Sequence, residues 1–383
     1  MMFDKNREVL LHLSLIKNIG PKIVLKIIKK YLKDSFINYK HPEIVLPKIN
    51  LSKIYKYRIK DFIINFNLSE KMAAVLFNGL QKKDDLNREI KLIEKYKIDI
   101  ITFLDDDYPD ELKQIYSPPI ILYCKGLGLS NFKYKKRISI VGARKANMYA
   151  RTIINNLVSS LINNNYSIVS GGAIGVDSMA HLAAINFKGN TIVVLGSGLL
   201  CPYPEVNKDL FRNIIKSGGT LLSPFPLNTK PLKGNFPARN RIIAGLGVGC
   251  LVIQAAKKSG ALITAQFALD EGRQVFAVPG DINDELSLGC HELIKQGAKI
   301  VSSIDDVLEE FGETNLDQKL EKKVCINKNF QENLILKNLK FPISADELSV
   351  KIGLDFNSLQ EKLFDMELQG IIKQNIAGLW EII

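Results

Sequence analysis

The sequence predicts an α/β fold, in which a parallel β-sheet carries helices on both faces. The first observation is that strand patterns and helical patterns alternate from residue 138 onward, which is typical of parallel sheets. The β-rich runs are 138–141, 166–169, 191–195, 220–222, 250–253, 274–277 and 299–301. The helical patterns lie near 149–164, 176–187, 205–217, 239–245, 260–271 and 290–296. The second observation is that 383 residues, 46% of them hydrophobic, can form two or three domains with ample core.

Residues 1–80 are predicted to form a small, basic, helical domain. Residues 1–60 hold 14 Lys and Arg against 4 Asp and Glu. Apolar residues at helical spacing follow the turn at 18–21, which resembles a helix-hairpin-helix and could present backbone N–H groups to a phosphate. A plain helical turn explains the same residues. Asn18 replaces the first glycine of that motif, and Asn tolerates the left-handed conformation better than most residues.

Residues 81–137 are predicted to be a connector between this domain and the sheet. Residues 98–103 read as one strand, and the turn-rich segments 105–109 and 116–119 follow. The acids at 105–107 could suggest a metal site. No further carboxylate is spaced to complete a cage, so solvated loop acids are the preferred interpretation.

Glycines follow the first three strands of the predicted sheet. They occur in 142–144, where Arg144 comes after Gly142 and Ala143, and then in 170–175 and 196–198. Ligands of such folds bind at the carboxyl ends of the strands, and glycine lets the backbone approach a phosphate at a helix N-terminus. The alternative is that these glycines only make tight turns between strands and helices.

Residues 210–269 contain no Asp or Glu, in a chain whose formal net charge is +12. Within this stretch the cations are Arg212, Lys216, Lys230, Lys233, Arg239, Arg241, Lys257 and Lys258. Cations with no competing carboxylate describe a surface for phosphates. The alternative is a basic solvated face without a ligand, although ordinary solvated faces mix both signs.

Several kinds of site lack their residues. There is no GxxxxGK[ST] motif and no clean GxGxxG followed by an acid, so neither ATP nor a dinucleotide cofactor is expected. No GxSxG elbow appears, and Asp177 and His181, which could pair four residues apart, are interpreted as a loop-bracing acid and a packed histidine. The histidines and cysteines show no metal-ligand spacing.

The same survey predicts a cytoplasmic protein without a membrane segment. No secretory signal is visible at the N-terminus, and the longest apolar run is too short to span a bilayer. The five cysteines lie far apart, as buried thiols do in a reducing compartment.

Residues 312–330 are predicted to be a polar linker, and residues 331–383 a small unit of three helices and a hairpin. That order is typical of a winged helix, whose third helix often reads DNA. Here the third helix carries Glu361, Asp365 and Glu367 against Lys362. Because an acidic face repels phosphate, a protein contact or a structural role is the expected one.

The block from residue 138 to 301 resembles the DNA-processing protein A family (DprA, also called Smf). The matching stretches are IVGAR at 140–144, SGGAIGVDSMAH at 170–181, VVLGSGLLCPYPEVN at 193–207, FPARNRIIAGL at 236–246, KSGALITA at 258–265 and GRQVFAVPGDI at 272–282. The flanking helix-hairpin-helix-like and winged-helix-like units also occur in some members. The resemblance is strong in the middle of the chain and loose at both ends.

The resemblance implies an extended Rossmann-like domain at 138–311 that binds single-stranded DNA in a basic pocket. It implies a homodimer that protects incoming strands during natural transformation and loads the recombinase RecA on them, with no enzymatic turnover and no cofactor. Phe236 would stack on a base or pack in the core. Carried over by position, the DNA-binding residues would be Gly142, Arg144, Gly171, Gly172, Gly198, Phe236, Arg239, Asn240, Arg241, Lys258, Ser259 and Gly260.

The chain departs from the family pattern at five positions. The family usually has Ser, Arg, Glu, Glu and Asn where this chain has Ala143, Ile174, Pro224, Gln254 and His291. Loss of an arginine at 174 should weaken a phosphate contact. Loss of carboxylates at 224 and 254 should partly offset that by removing negative potential.

Two other functions compete with DNA binding. The same strand ends serve nucleotide phosphoribohydrolases of the lysine-decarboxylase-like Rossmann group. That group is expected to show a PGGxGT-type loop with a catalytic Glu, where this chain has Pro279, Gly280 and Asp281. The third interpretation is a scaffold that does not bind DNA.

Overall fold

Two units make up the chain, one spanning residues 1–312 and the other residues 313–383. They are seen in a computed structural model, which describes residues 4–37, 50–129, 136–313, 335–339, 341–368, 371–375 and 378–382. The predicted linker at 312–330 lies outside the described residues from position 314 onward.

The first unit begins with helices and then alternates strands with helices. Its helices are α1 (Lys5–Leu15), α2 (Pro21–Ile37), α3 (Ile59–Phe66), α4 (Glu70–Leu80), α5 (Asp84–Tyr96), α6 (Asp110–Lys113), α7 (Met148–Asn163), α8 (Val176–Asn186), α9 (Lys208–Lys216), α10 (Asn235–Leu246), α11 (Gly260–Asp270), α12 (Leu288–Lys295) and α13 (Asp305–Glu310). Its strands are β1 (Asp99–Thr102), β2 (Ile121–Gly126), β3 (Arg137–Val141), β4 (Ser167–Ser170), β5 (Thr191–Val194), β6 (Thr220–Ser223), β7 (Gly249–Val252), β8 (Gln274–Ala277) and β9 (Lys299–Ile300).

One nine-stranded sheet runs through this unit, in the order β1-β2-β6-β5-β4-β3-β7-β8-β9. Neighbouring strands from β6 to β9 in that order are parallel, which confirms the predicted Rossmann-like α/β class. The predicted connector extends this sheet at one edge, where β2 is antiparallel to both β1 and β6. The predicted connector therefore contributes two strands. Residues 120–124 are all apolar and buried, so they lack the alternation that marks a strand with one wet face.

The order of the strands creates a crevice beside β3. From β3 the chain adds β4, β5 and β6 on one side, and it then returns to place β7, β8 and β9 on the other. The loops after β3 and β7 therefore leave the sheet in opposite directions. In open α/β sheets such a reversal leaves a crevice at the carboxyl ends of the strands, where ligands bind.

Helices cover both faces of the sheet. Ile242 of α10 and Ala265 of α11 pack on one face, and Ile154 of α7 and Ala180 of α8 pack on the other. The N-terminal helices share one buried cluster with α9 and the β1–β2–β6 edge of the sheet. The predicted division at 80 falls between α4 and α5, and the one at 137 falls at the start of β3, both within the unit of residues 1–312.

The turn between α1 and α2 has the backbone that the sequence suggests. Asn18 has a φ of 66°, in the left-handed region, and α2 begins at Pro21. Proline is well placed in the first turn of a helix, because the N–H that it lacks has no partner inside the helix.

The second unit has its own small core. Its elements are a helical stretch at 335–338, α14 (Ala345–Ile352), α15 (Phe356–Leu368) and the antiparallel pair β10 (Ile372–Gln374) and β11 (Trp380–Ile382). The hydroxyl of Ser344 accepts the N–H of Glu347, as its capping position predicts. These elements follow the expected order, and the winged-helix interpretation stays a prediction.

His181 of α8 is fully buried under the sheet. The Thr191 hydroxyl donates to the carbonyl of Ile168, so the imidazole Nδ1, 2.7 Å away, is the donor to that hydroxyl. Its Nε2 has no hydrogen-bond partner in the described part of the chain. Burial lowers the pKa of His181 to about 3, with the charge of Arg239 acting in the same direction. The packed-histidine interpretation agrees with these contacts.

We expect His181 to make the first unit less stable as the pH falls from about 6.5 toward 3. The unfolded chain, with an ordinary histidine pKa of about 6.5, binds a proton in that window that the folded chain excludes. The loss is about 1.4 kcal/mol by pH 5.5 on this basis. Urea unfolding of wild type and His181→Gln at pH 8 and 5.5 measures it. Equal losses in both proteins would remove His181 as the cause.

Candidate nucleic-acid interface

A cavity of ≈ 500 Å³ lies in the crevice beside β3. Its walls come from the loop after β3, the loop after β4, the start of α10 and the start of α11. The predicted site residues that line it are Gly142, Arg144, Phe236, Arg239, Asn240, Ser259 and Gly260. The sheet therefore brings together residues that are more than a hundred positions apart in the sequence.

The rim of the cavity is cationic. Arg144, Lys145 and Lys233 are exposed there, and Asp177 is the one carboxylate among the described lining residues. Lys145 and Lys233 were not among the predicted site residues. The signals were present, because Lys145 directly follows Arg144 and Lys233 belongs to the acid-free stretch.

Arg239, which the family resemblance predicts to bind DNA, is buried at the inner side of the cavity. It is only 6% exposed, and its Nη1 donates to the carbonyls of Gly171 and Val194, at the ends of β4 and β5. Burial lowers the pKa of Arg239 to about 10, Asp177 opposes that shift and Arg144 adds to it. The guanidinium remains charged at neutral pH and adds positive electrostatic potential to the cavity from its buried side.

Asp177 braces the loop after β4, as its position at the start of α8 suggested. Its Oδ2 accepts the N–H groups of Gly171 and Ala173 at 3.1 and 3.3 Å. Burial raises the pKa of Asp177, although Arg239 and these N–H groups pull it down. Asp177 and His181 have different hydrogen-bond partners, so the possible pair between them is not what the structure shows.

Gly175 holds this loop against the backbone that carries Arg144. It has a φ of 86°, and a Cβ there would lie 2.3 Å from the carbonyl oxygen of Ala143 and 2.6 Å from that of Arg144. The N–H of Val176 also donates to the Ala143 carbonyl, at 3.1 Å. Only glycine combines this conformation with such a close approach.

Four other predicted site glycines are packed against the protein's own atoms, and a fifth, Gly260, is not. An added Cβ would lie 2.1–2.7 Å from the protein's own atoms at Gly142, Gly171, Gly172 and Gly198. At Gly260, the first residue of α11, no atom lies within 4 Å of that position. The tight-turn interpretation therefore explains the first four, and Gly260 alone of the five presents an open backbone.

Arg241 and Lys258 do not line this cavity. Arg241 lies on another side of α10, where it lines a second cavity of ≈ 470 Å³ next to the hairpin turn at Gly20. Its Nε is 3.9 Å from the Glu271 carboxylate, and its guanidinium lies over the Phe267 ring. Lys258 is exposed just before Ser259. Residues two apart on a helix point in nearly opposite directions, so Arg239 and Arg241 could not share one site.

Comparison with known proteins decides the family. The model of the family "DNA recombination-mediator protein A" matches residues 99–312. The chain belongs to this family. The match begins at β1, so it includes the two antiparallel strands of the sheet as well as the parallel ones.

Three relatives are similar to this chain along most of their own length. DNA processing protein DprA of Bacillus subtilis is 41% identical over 245 residues, which cover 64% of this chain and 82% of that protein. The Streptococcus pneumoniae DprA crystal structure superposes with a TM-score of 0.65 at 34% identity, covering 81% of this chain and 99% of that chain. DNA processing protein A of Helicobacter pylori, whose structure was described for its single-stranded DNA binding mode, superposes with a TM-score of 0.50 at 27% identity. The match covers 59% of this chain and 96% of that chain.

One departure from the family pattern has a local explanation. Gln254, where the family usually has Glu, is 1% exposed. Its amide nitrogen donates to Asn147 Oδ1 at 3.0 Å, and its amide oxygen accepts the Asn147 N–H at 3.3 Å. A carboxylate could not donate in this pair, so the amide suits the Asn147 side chain, which also caps α7.

Three observations about metal sites, membrane helices and cysteines apply to the residues that the structure describes. No group of three His, Cys, Asp or Glu side chains in those ranges could hold a metal ion. No helix among them is long and apolar enough to cross a membrane. Cys124, Cys250 and Cys290 are buried, and burial raises the pKa of each thiol.

We expect Gly171→Ala to destabilise the protein by about 1–3 kcal/mol, the usual cost of overpacking a tight site. Its Cβ would lie 2.1 Å from Arg239 Nη1 and 2.8 Å from Asp177 Oδ2. Gly260→Ala, where there is open space, should change stability by no more than about 0.5 kcal/mol. Urea unfolding of both variants beside wild type provides the measurement. If Gly171→Ala is as stable as Gly260→Ala, the tight packing around Arg239 is not required.

Proposed function

We propose that the protein binds single-stranded DNA at this cavity and acts as a recombination mediator rather than as an enzyme. The observation that carries the proposal is the convergence of Arg144, Lys145 and Lys233 around one cavity at the crevice of the sheet. Phosphates are the natural partners of such a surface, because counterions are released when they bind. The family and the DNA-binding relative from Helicobacter pylori support the same choice.

An unpaired strand suits this site better than a duplex. Single strands bind to a cationic groove that also offers aromatic faces to their bases. Phe236 is half-buried and lines the cavity beside Arg144. Competition between single- and double-stranded oligonucleotides of the same sequence tests the preference, and we expect the single strand to displace a labelled strand at the lower concentration.

The biological role that we propose is protection of incoming strands during natural transformation, followed by loading of the recombinase RecA by a cytoplasmic homodimer. The relatives named DNA processing protein DprA and the name of the family support this role. A loading assay would measure the strand-dependent ATPase of RecA with wild type and with Arg144→Ala. Acceleration by wild type alone is the expected result.

The phosphoribohydrolase alternative has little support in the site. Asp177, the carboxylate of the cavity wall, is committed to two backbone N–H groups and is buried. A reaction that needs a carboxylate at the substrate would have to recruit one from elsewhere. Release of free base from nucleoside monophosphates, lost in Arg144→Ala, would favour the enzyme over the mediator.

We expect Arg144→Ala and Lys233→Ala each to weaken binding of an oligothymidine strand and to reduce its dependence on salt. Loss of one phosphate contact should lower the slope of log K against log salt by about 0.7. Fluorescence anisotropy titrations at several salt concentrations measure both quantities.

Two arginines are matched controls for this experiment. Arg241→Ala removes a cation from the same helix that lies at the other cavity, and Arg88→Ala removes an exposed cation of α5 that pairs with Asp85. Neither should change the salt slope. An unchanged slope for Arg144→Ala and Lys233→Ala together would reject the phosphate site, whereas a reduced slope for Arg241→Ala would restore Arg241 to it.

A further inference from the structure

An exposed apolar strip borders the cationic cavity. Tyr203 is 42% exposed and Ile174 is 50% exposed. Together with half-buried Phe236 and with Arg144 they line a shallow recess of ≈ 30 Å³ that adjoins the larger cavity. Apolar side chains that are contiguous at the surface mark a site for a ligand more often than isolated ones do.

The strip is held in place from both sides. Ile174 belongs to the loop after β4, which Asp177 and Gly175 fix as described above. The Tyr203 ring meets the Phe236 ring at a centroid distance of 6.0 Å and an angle of 60°. Asn207 follows Tyr203, and its side chain donates to the carbonyl of Gly172 at 2.9 Å. The strip therefore needs little reordering when a ligand arrives, which lowers the entropic cost of binding.

The charges around the strip point to one kind of ligand. Arg144 lines both the recess and the main cavity, so a phosphate held by Arg144 would lie beside the strip. Ile174 cannot hold a phosphate, although the family usually places an arginine there. An apolar surface next to a phosphate-binding cation fits the flat face of a base, because every base has a π-face.

We propose that Tyr203 and Ile174 form a stacking subsite for one unpaired nucleobase of a strand whose phosphates bind at Arg144 and the cationic cavity. The subsite rests on the proposed single-strand binding and adds to it a contact that does not depend on salt. In this chain, apolar contact with a base at residue 174 takes the place of the phosphate contact that an arginine would make.

The test uses two labelled probes of equal length, an oligothymidine strand and a strand of abasic tetrahydrofuran residues. Tyr203→Ala should bind oligothymidine about tenfold more weakly than wild type, as loss of one base-stacking contact does. It should bind the abasic strand as wild type does, because the phosphates are unchanged. Its salt slope should also be unchanged. Ile174→Ala should change binding in the same direction by a smaller factor.

Two variants control for effects on folding. Tyr203→Phe keeps the ring and should bind both probes like wild type. Tyr96→Ala removes a tyrosine of α5 with 39% exposure and should also bind both probes like wild type.

Three results would overturn the subsite. Equal losses on both probes would show that Tyr203→Ala acts through phosphates or folding, and no loss on either would show that the ring does not touch a base. In both cases a reduced salt slope in Arg144→Ala would leave the proposed function standing. If wild type binds neither probe at low salt, the subsite and the proposed function fail together.

Discussion

The geometry of the site depends on the hydrogen bonds that the buried guanidinium of Arg239 donates. It ties helix α10 to the ends of β4 and β5 through the carbonyls of Gly171 and Val194. Asp177 holds the same loop from its N–H side. A buried charge that loses its partners is strongly destabilising, so these groups depend on one another. The exposed cations of the rim, Arg144, Lys145 and Lys233, make none of these hydrogen bonds.

Residues that are close in the sequence have two different roles here, one in fixing the loops and one in presenting charge at the surface. Buried polar groups fix where the loops run, and exposed cations next to them remain available to a ligand. The contrast is clearest on α10, where Arg239 is committed to backbone carbonyls while Lys233, just before the helix, is exposed at the rim. A cation within a family motif can therefore have a structural role while exposed cations beside it stay accessible to solvent.

Much of the fold could be predicted from the sequence, because parallel strands and their helices have distinct periodicities. β2 is a largely buried run without alternation, as β3 to β7 are, but it lies before residue 138, where the repeated strand–helix order that identified those strands begins. The crevice with Gly142 and Arg144 followed from the rule that strand ends converge, whereas Phe236 and Gly260 came from the resemblance to the family motifs. The depth of Arg239 could not be predicted, since it depends on the rotation of α10 against the sheet, whereas the two-residue spacing in a predicted helix already separates Arg241 from Arg239. Lys145 and Lys233 could also have been predicted, because Lys145 directly follows Arg144 and Lys233 lies in the acid-free stretch.

The amide pair of Gln254 and Asn147 carries no charge at any pH, although it adjoins the loop after β3, where the Ala143 N–H donates to the Gln254 carbonyl. Neither side chain has a titrating proton: the Gln254 amide nitrogen donates to Asn147 Oδ1, and its amide oxygen accepts the backbone N–H of Asn147. A glutamate at the same depth would alternate between a neutral and an anionic form as its surroundings became acidic or alkaline. With the amide, this pair keeps the same charge and the same hydrogen bonds whether its surroundings become acidic or alkaline.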